Sequence, residues 1–327
     1  MRKLLEQRFA GLPLDRKQAA GVMSDILNGT VPEAQTAALL SSYRMRLPNA
    51  DELTGFRESV LERATPLDLD SADAIDMVGT GGDGKDTFNI TTLSALTVAA
   101  CGVRVVKHGN GSASSKHGSS DTLRAVGFSF RQNTSDLKRQ LDAANITFLH
   151  APLFHPSLGS VAALRRQLGV GTLFNLLGPL VNPARPTKNF IGVADAAVQG
   201  VYDQLFRASG DAHCIVHSND GYDEATLTGP VRCYTSRGRY TLQAMDFGLA
   251  PTTAEQIGSA KNAPDQFLRI LRGEGSQAET ETVAANAGLA MQLADDHQHD
   301  LTHYTATAKS CLLAGRVASN FEKLLTA

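Results

Sequence analysis

Two glycine-rich stretches and one pair of adjacent carboxylates carry the chemistry in this sequence. The first stretch, Gly79-Thr80-Gly81-Gly82-Asp83-Gly84, follows the apolar run Ile75-Asp76-Met77-Val78 and precedes Asn89-Ile90-Thr91-Thr92. The second runs from Lys107-His108-Gly109-Asn110 through Gly111-Ser112-Ala113-Ser114-Ser115 to Lys116. Glycine lets backbone N–H groups approach an anion closely. Asn89, Thr91 and Thr92 fall where a helix should begin, and a helix start attracts negative charge. Lys107 and Lys116 add positive charge, and the serines and threonines add hydroxyl donors. A single loop of this kind is commonly an ordinary tight turn. Two of them, each after a strand and before a helix, indicate a phosphate compound. Neither matches the dinucleotide pattern GxGxxG or a P-loop ending Gly-Lys-Ser/Thr, so the ligand is expected to be neither NAD nor ATP.

The carboxylates are Asp223 and Glu224, in Val216-His217-Ser218-Asn219-Asp220-Gly221-Tyr222-Asp223-Glu224. Alone they would read as a solvated acidic turn. Opposite two phosphate loops they read as oxygen ligands for Mg²⁺ shared with phosphate oxygens. Phe154-His155-Pro156 precedes a helix that ends near Leu164-Arg165-Arg166. His297, His299 and His303 lie near Asp295, Asp296 and Asp300. They read as a polar surface loop, because no rigid helical spacing supports a closed metal site.

The elements that must hold these groups fall into two patterns. Residues 1 to about 65 are helical, with capping boxes at Asp15/Gln18 and Asn49/Glu52, a helix end at Gly29 and Pro32 in a first turn. This region reads as a small helical bundle without a chemical role, and its apolar surface is a candidate dimer contact. Pro66 to Ala72 is a linker. Beyond residue 74, strands alternate with helices, which indicates an α/β domain with a mostly parallel central sheet flanked by helices. Strands are expected at 75–78, 103–107, 146–149, 190–193 and 213–217. Helices are expected at 91–101, 119–126, 135–144, 157–168 and 197–208. An antiparallel hairpin is expected at 231–235 and 239–243, turning at Gly238. Residues 279–293 and 304–325 are helical in pattern. The domains are therefore expected at 1–68, with 157–180 packing on it, and at 69–327. Ligands of such sheets bind beyond the carboxyl ends of the strands, where both glycine-rich loops lie.

The composition is that of a globular protein: 327 residues, 42% hydrophobic, with a net charge of −2. No overall basic field points to nucleic acid. No apolar run approaches the roughly 18 residues of a spanning helix, and charge interrupts the N-terminus at once, unlike a secretory signal. Cys101, Cys214, Cys233 and Cys311 are scattered and read as reduced thiols of a cytoplasmic protein.

Gly79 to Asp83, Asn89-Ile90-Thr91-Thr92, Lys107-His108-Gly109-Asn110 and Ser114-Ser115-Lys116 through Ser119-Ser120-Asp121 resemble the signature loops of the anthranilate phosphoribosyltransferases. Thr172-Leu173-Phe174-Asn175-Leu176-Leu177-Gly178-Pro179-Leu180-Val181-Asn182-Pro183 and the Asp223-Glu224 stretch are similar to that family's later motifs. The pyrimidine nucleoside phosphorylases share the first loops in a weaker form but lack the match after residue 150. Relatives of this fold that bind nucleic acid would need a basic groove.

The resemblance implies a pentosyltransferase of tryptophan biosynthesis that joins anthranilate to phosphoribosyl pyrophosphate, uses Mg²⁺ and is a homodimer through its helical domain. Position by position it implies phosphoribosyl pyrophosphate at Gly79, Gly82, Asp83, Thr87, Asn89, Ile90, Thr91, Thr92, Lys107, His108, Gly109, Asn110, Ser114, Ser115 and Ser119. It implies anthranilate at Gly79, His108, Asn110, His155, Arg165 and Pro179. It implies the metal at Thr91, Asp223 and Glu224. No general base is assigned, although His108 is a candidate acceptor of the amine proton. Three positions depart from the family pattern: Gly111 and Gly171, where it has Arg, and His117, where it has Ser.

Overall fold

The computed structural model describes residues 1–111 and 118–327. The chain begins with four helices, α1 (Arg2–Phe9), α2 (Arg16–Leu27), α3 (Glu33–Met45) and α4 (Ala50–Glu62). Both expected capping boxes are present: Asp15 accepts from the Gln18 amide and Asn49 from the Glu52 amide. Gly55 of α4 lets α2 come close, since a Cβ there would sit 2.2 Å from the Arg16 carbonyl oxygen. Arg8, Glu52 and Tyr43 are buried among these helices, with the Glu52 carboxylate accepting from Arg8 Nη1 at 3.1 Å and from the Tyr43 hydroxyl at 2.8 Å.

The α/β part then runs β1 (Ile75–Gly79), α5 (Ile90–Ala100), β2 (Val105–Gly109), α6 (Ser119–Ala125), α7 (Thr134–Ala144), β3 (Ile146–His150) and α8 (Ala151–Phe154). It continues with α9 (Gly159–Leu168), α10 (Leu173–Leu177), β4 (Lys188–Gly192), α11 (Ala196–Ser209) and β5 (Ala212–Ser218). The hairpin β6 (Val231–Thr235) and β7 (Gly238–Leu242) follows, then α12 (Ala263–Leu271), α13 (Gln277–Ala294), α14 (Leu301–Leu313) and α15 (Arg316–Thr326). The sheet order is β3-β2-β1-β4-β5-β6-β7. The strands from β1 to β5 pair in parallel, and β6 and β7 are antiparallel. The order reverses between β1 and β4, so a crevice opens at the carboxyl ends of these two strands. Gly79 and Gly192 are paired there.

The strands are apolar on both faces because both are covered. Met77, Phe190 and Val216 face a core shared with α5, α13 and α14. Val78, Ile191 and Ile215 face a second core shared with α11 and the helical bundle. Phe174, Leu177 and Leu180 join this second core beside Leu39, Leu53 and Phe56. Arg57 Nε of α4 donates to the Leu180 carbonyl oxygen at 2.9 Å, tying the bundle to the turn after α10.

Three details differ from expectation. The second strand starts at Val105, two residues late, because Gly102 with φ of 96° and the residues after it turn the chain out of α5. Lys107, His108 and Gly109 are therefore strand residues rather than the start of a loop. The expected helix 304–325 is two helices, broken at Gly315 with φ of 68°. Helix α12 lay hidden in the sequence; its Asn262 cap accepts from the Asp265 amide.

Candidate active site

A cleft of about 600 Å³ opens at the crevice between β1 and β4 and extends under α9 and α10. Its floor is the loop after β1. Gly81 and Gly82 have φ of 60° and 77°, a left-handed backbone that only glycine adopts freely. This winds the loop over Asp223, whose Oδ2 accepts from the Gly81 amide at 2.7 Å. Gly79 must also be glycine, since a Cβ there would stand 2.4 Å from the same Oδ2.

Glu224 points to the start of α5. Its Oε1 accepts from the Thr91 amide at 3.1 Å and the Thr91 hydroxyl at 2.7 Å. Asp223 and Glu224 are both buried, and burial raises both carboxyl pKa values, with nearby carboxylates raising them further. Their carboxylates accept from neutral amides and a hydroxyl. Lys107, the buried cation near them, donates to the Met77 carbonyl oxygen, and burial lowers its pKa to about 8. Asp83 shares a side-chain hydrogen bond with Asp223, and a cluster of buried carboxylate oxygens with no paired cation among the described residues suits a divalent ion such as Mg²⁺. Among the described residues no group of three or more His, Cys, Asp and Glu is arranged to hold a metal by itself.

The other wall holds the acceptor-side groups. Arg165 of α9 lies over the Phe174 ring, 5.2 Å from its centroid, and burial lowers its pKa. No acidic side chain pairs with it among the described residues. His108 is buried against His155, with ring centroids 5.2 Å apart, and burial lowers its pKa to about 3. His155 Nε2 lies 2.8 Å from the Val181 carbonyl oxygen. Asn110 accepts through its carbonyl from the Ser119 hydroxyl at 3.2 Å, drawing the start of α6 against the end of β2.

Most of the expected site residues meet here. Gly79, Gly82, Asp83, Thr87, Asn89, Thr91, Thr92, Lys107, His108, Gly109, Asn110, Ser119, Arg165, Pro179, Asp223 and Glu224 all line the cleft. Ile90 is instead fully buried in the core around α5, and His155 stands behind His108 at 1% exposure. The expectations for Ser114, Ser115 and His117 lie outside the described residues. Gly111 and Gly171 are described, and Gly111 lines the cleft. Phe174 and Asn175 of the Thr172–Pro183 motif also line it, as do Lys85 and Ser259, which the sequence did not single out. Lys85 Nζ lies 4.8 Å from the Tyr222 ring centroid. Its position in a loop already rich in phosphate-binding signals was the available clue, whereas Ser259 comes from a distant loop with none.

Residues 2–64 match the helical bundle domain of a glycosyl transferase family, and residues 71–318 match the a/b domain of that family. The fold and cleft are thus those of a two-domain glycosyl transferase. An anthranilate phosphoribosyltransferase from Cytophaga hutchinsonii is 40% identical over 99% of both chains. One from Christiangramia forsetii is 38% identical over 99% of this chain and 98% of its own. The crystal structure of the Thermus thermophilus anthranilate phosphoribosyltransferase superposes with a TM-score of 0.91 at 32% identity, covering 98% of each chain. The chain belongs to the anthranilate phosphoribosyltransferase family. The yeast enzyme in complex with phosphoribosyl pyrophosphate and Mg shares the fold, with a TM-score of 0.87 at 23% identity over 98% of this chain and 96% of that one.

Proposed function

We propose that the chain transfers the phosphoribosyl group of phosphoribosyl pyrophosphate to the amine of anthranilate and releases pyrophosphate, the second step of tryptophan biosynthesis from chorismate. One observation carries the reading: a single cleft holds both the buried carboxylate pair under a glycine loop and Arg165, a cation with no acidic partner among the described residues.

Displacement at the anomeric carbon of the sugar needs a stabilised leaving group and an aligned nucleophile. The anthranilate amine is neutral at pH 7 and attacks without prior deprotonation. The protein's work is then positioning and electrostatics. The backbone of Gly79 and Gly82, the side chains of Thr87, Asn89, Thr92 and Ser119, and Lys107 hold the phosphates and ribose. Asp83, whose carboxyl burial pushes up, faces a sugar hydroxyl or the metal. Asp223 and Glu224, with the Thr91 hydroxyl, would hold Mg²⁺, which when bound would supply positive charge to a departing pyrophosphate. Arg165 grips the anthranilate carboxylate with two parallel hydrogen bonds, and Asn110 and Pro179 border the aromatic ring. His108 shapes this pocket as a neutral ring. With a pKa near 3 it is too weak a base to hold the amine proton at neutral pH.

The domains divide at 1–68 and 69–327, with 157–180 packing on the helical part. The protein acts as a homodimer through that part, where Phe9, Leu12 and Met45 are 65%, 57% and 90% exposed. No described helix is long and apolar enough to cross a membrane, and four free thiols accord with the cytoplasm. The test is loss of anthranilate fluorescence on adding phosphoribosyl pyrophosphate, with and without Mg²⁺. Consumption that requires all three supports the reading, and anthranilate that persists with all three present contradicts it.

A further inference from the structure

Asn286 lies on α13, far in sequence from every motif above, and is fully buried. Its Oδ1 accepts from the Ala225 amide at 3.0 Å, and its Nδ2 donates to the Ala225 carbonyl oxygen at 2.9 Å. The same Nδ2 donates to the Thr282 carbonyl oxygen of its own helix at 2.9 Å. A single side-chain amide thus bonds both backbone groups of Ala225, as a neighbouring strand would. Ala225 directly follows Glu224.

The segment is held from two other sides. The Ser218 hydroxyl donates to the Glu224 carbonyl oxygen at 2.6 Å. Gly192 of β4 lies so close that a Cβ there would fall 1.6 Å from the Asp223 carbonyl oxygen. The height of α13 is fixed in turn by Gly288, where a Cβ would meet Thr305 Oγ1 of α14 at 2.6 Å. Buried backbone groups need partners, so a purely structural reason for Asn286 exists. The placement adds more. Apart from one bond from the Asp223 amide itself, the carboxylates of Asp223 and Glu224 take their hydrogen bonds from the β1 loop and α5. Their aim therefore depends on where α13 and Ser218 fix the backbone between them and the core.

We propose that Asn286, assisted by Ser218, is a positioning residue that sets the Asp223–Glu224 pair for binding magnesium pyrophosphate, a role that rests on the function proposed above. A misplacement of about 1 Å in such a site costs on the order of 100-fold.

The test titrates magnesium pyrophosphate into wild type, Asn286→Ala and Ser218→Ala by calorimetry, and anthranilate into the same proteins by fluorescence. Thermal unfolding confirms that each variant is folded at the assay temperature. In folded Asn286→Ala, magnesium pyrophosphate should bind tenfold or more weakly while the anthranilate Kd stays within threefold. Wild-type affinity for magnesium pyrophosphate, or an equal loss for both ligands, overturns the role. If Asn286→Ala does not fold, Ser218→Ala decides: a threefold or greater loss confined to magnesium pyrophosphate supports the role, and wild-type affinity overturns it. A wild-type protein that binds no magnesium pyrophosphate contradicts the functional reading itself, and the positioning role falls with it.

Discussion

Glu224 accepts two hydrogen bonds from one residue, the Thr91 amide at 3.1 Å and the Thr91 hydroxyl at 2.7 Å. This contact joins the end of the β5 region to the start of α5 across the floor of the cleft. It anchors one of two buried carboxyls whose ionised form, disfavoured by burial, a cation would stabilise. Replacing Glu224 by Gln keeps the shape and removes the charge. Glu224→Gln should lower kcat/KM by about 100-fold or more and raise the Mg²⁺ concentration needed for half-maximal rate. Steady-state rates across a Mg²⁺ series check this. An unchanged Mg²⁺ dependence would remove Glu224 from the metal site.

Arg165 should act on one substrate only. Arg165→Ala deletes charge-assisted hydrogen bonds worth roughly 2–3 kcal/mol, which is about a 30- to 150-fold rise in the anthranilate KM. The KM for phosphoribosyl pyrophosphate should change little. Arg165→Lys should recover only part of the loss, because an ammonium lacks the planar fork. Parallel rises in both KM values would show that Arg165 shapes the whole cleft rather than gripping the acid.

Two glycines that meet Asp223 should fail differently. At Gly79 an added Cβ meets only the Asp223 carboxylate, which can rotate away. Gly79→Ala should therefore fold, with Tm within about 4 °C of wild type, yet lose most activity as the carboxylate leaves the Gly81 amide. At Gly192 the Cβ meets the Asp223 backbone, which cannot rotate away. Gly192→Ala should lose about 3 kcal/mol or more of stability. Thermal unfolding and activity measured on the same samples separate the two.

The pH profile carries two signs. Burial holds His108 near 3, so it is neutral from pH 5 to 9 and should add no limb near the ordinary histidine value of about 6.5. Burial also lowers Lys107 to about 8, so its charge is lost as pH rises through that value. The kcat/KM for phosphoribosyl pyrophosphate, which reports the free enzyme, should fall above about pH 8, and its acid side should follow the raised carboxyls of Asp223 and Glu224 rather than a histidine. His108→Ala should retain its turnover number. A histidine limb that vanishes in this variant would restore His108 as a proton acceptor.

Stability has its own pH dependence at Asp203 of α11. Burial pushes its carboxyl up, but hydrogen bonds from Arg239 at 2.7 Å, His213 at 2.9 Å and Arg207 at 3.1 Å outweigh it, so the pKa falls below the usual range. A carboxyl with a depressed folded-state pKa contributes fully above its unfolded value of about 3.9 and loses that contribution as pH falls through the folded value. Asp203→Asn should cost on the order of 3 kcal/mol at pH 7, and less below pH 3. Denaturant unfolding at both pH values checks this.

The parts of the fold legible in the sequence are those set by local chemistry. Asp15/Gln18 and Asn49/Glu52 form their boxes from residues three apart, and the apolar runs of β1 and β5 announce buried strands. The antiparallel hairpin is present as expected, although Gly238 opens β7 and the turn itself is Ser236-Arg237. What was hidden depends on distance along the chain. Asn286 reads as one more polar residue in an alanine-rich helix, and only the packing of α13 against the loop after β5 brings it to Ala225. His155 carries a motif match, yet the turn after α8 sets it behind His108 rather than at the cleft surface. The break at Gly315, with φ of 68°, lies between two segments that are each helical in pattern.

The most direct measurement is a crystal structure with phosphoribosyl pyrophosphate, Mg²⁺ and anthranilate bound together. The diphosphate should lie between the glycine loop and Asp223–Glu224, with the anthranilate carboxylate on Arg165 and its amine facing the anomeric carbon. A cleft left empty under these conditions, or a sugar held on another surface, would contradict the proposed function.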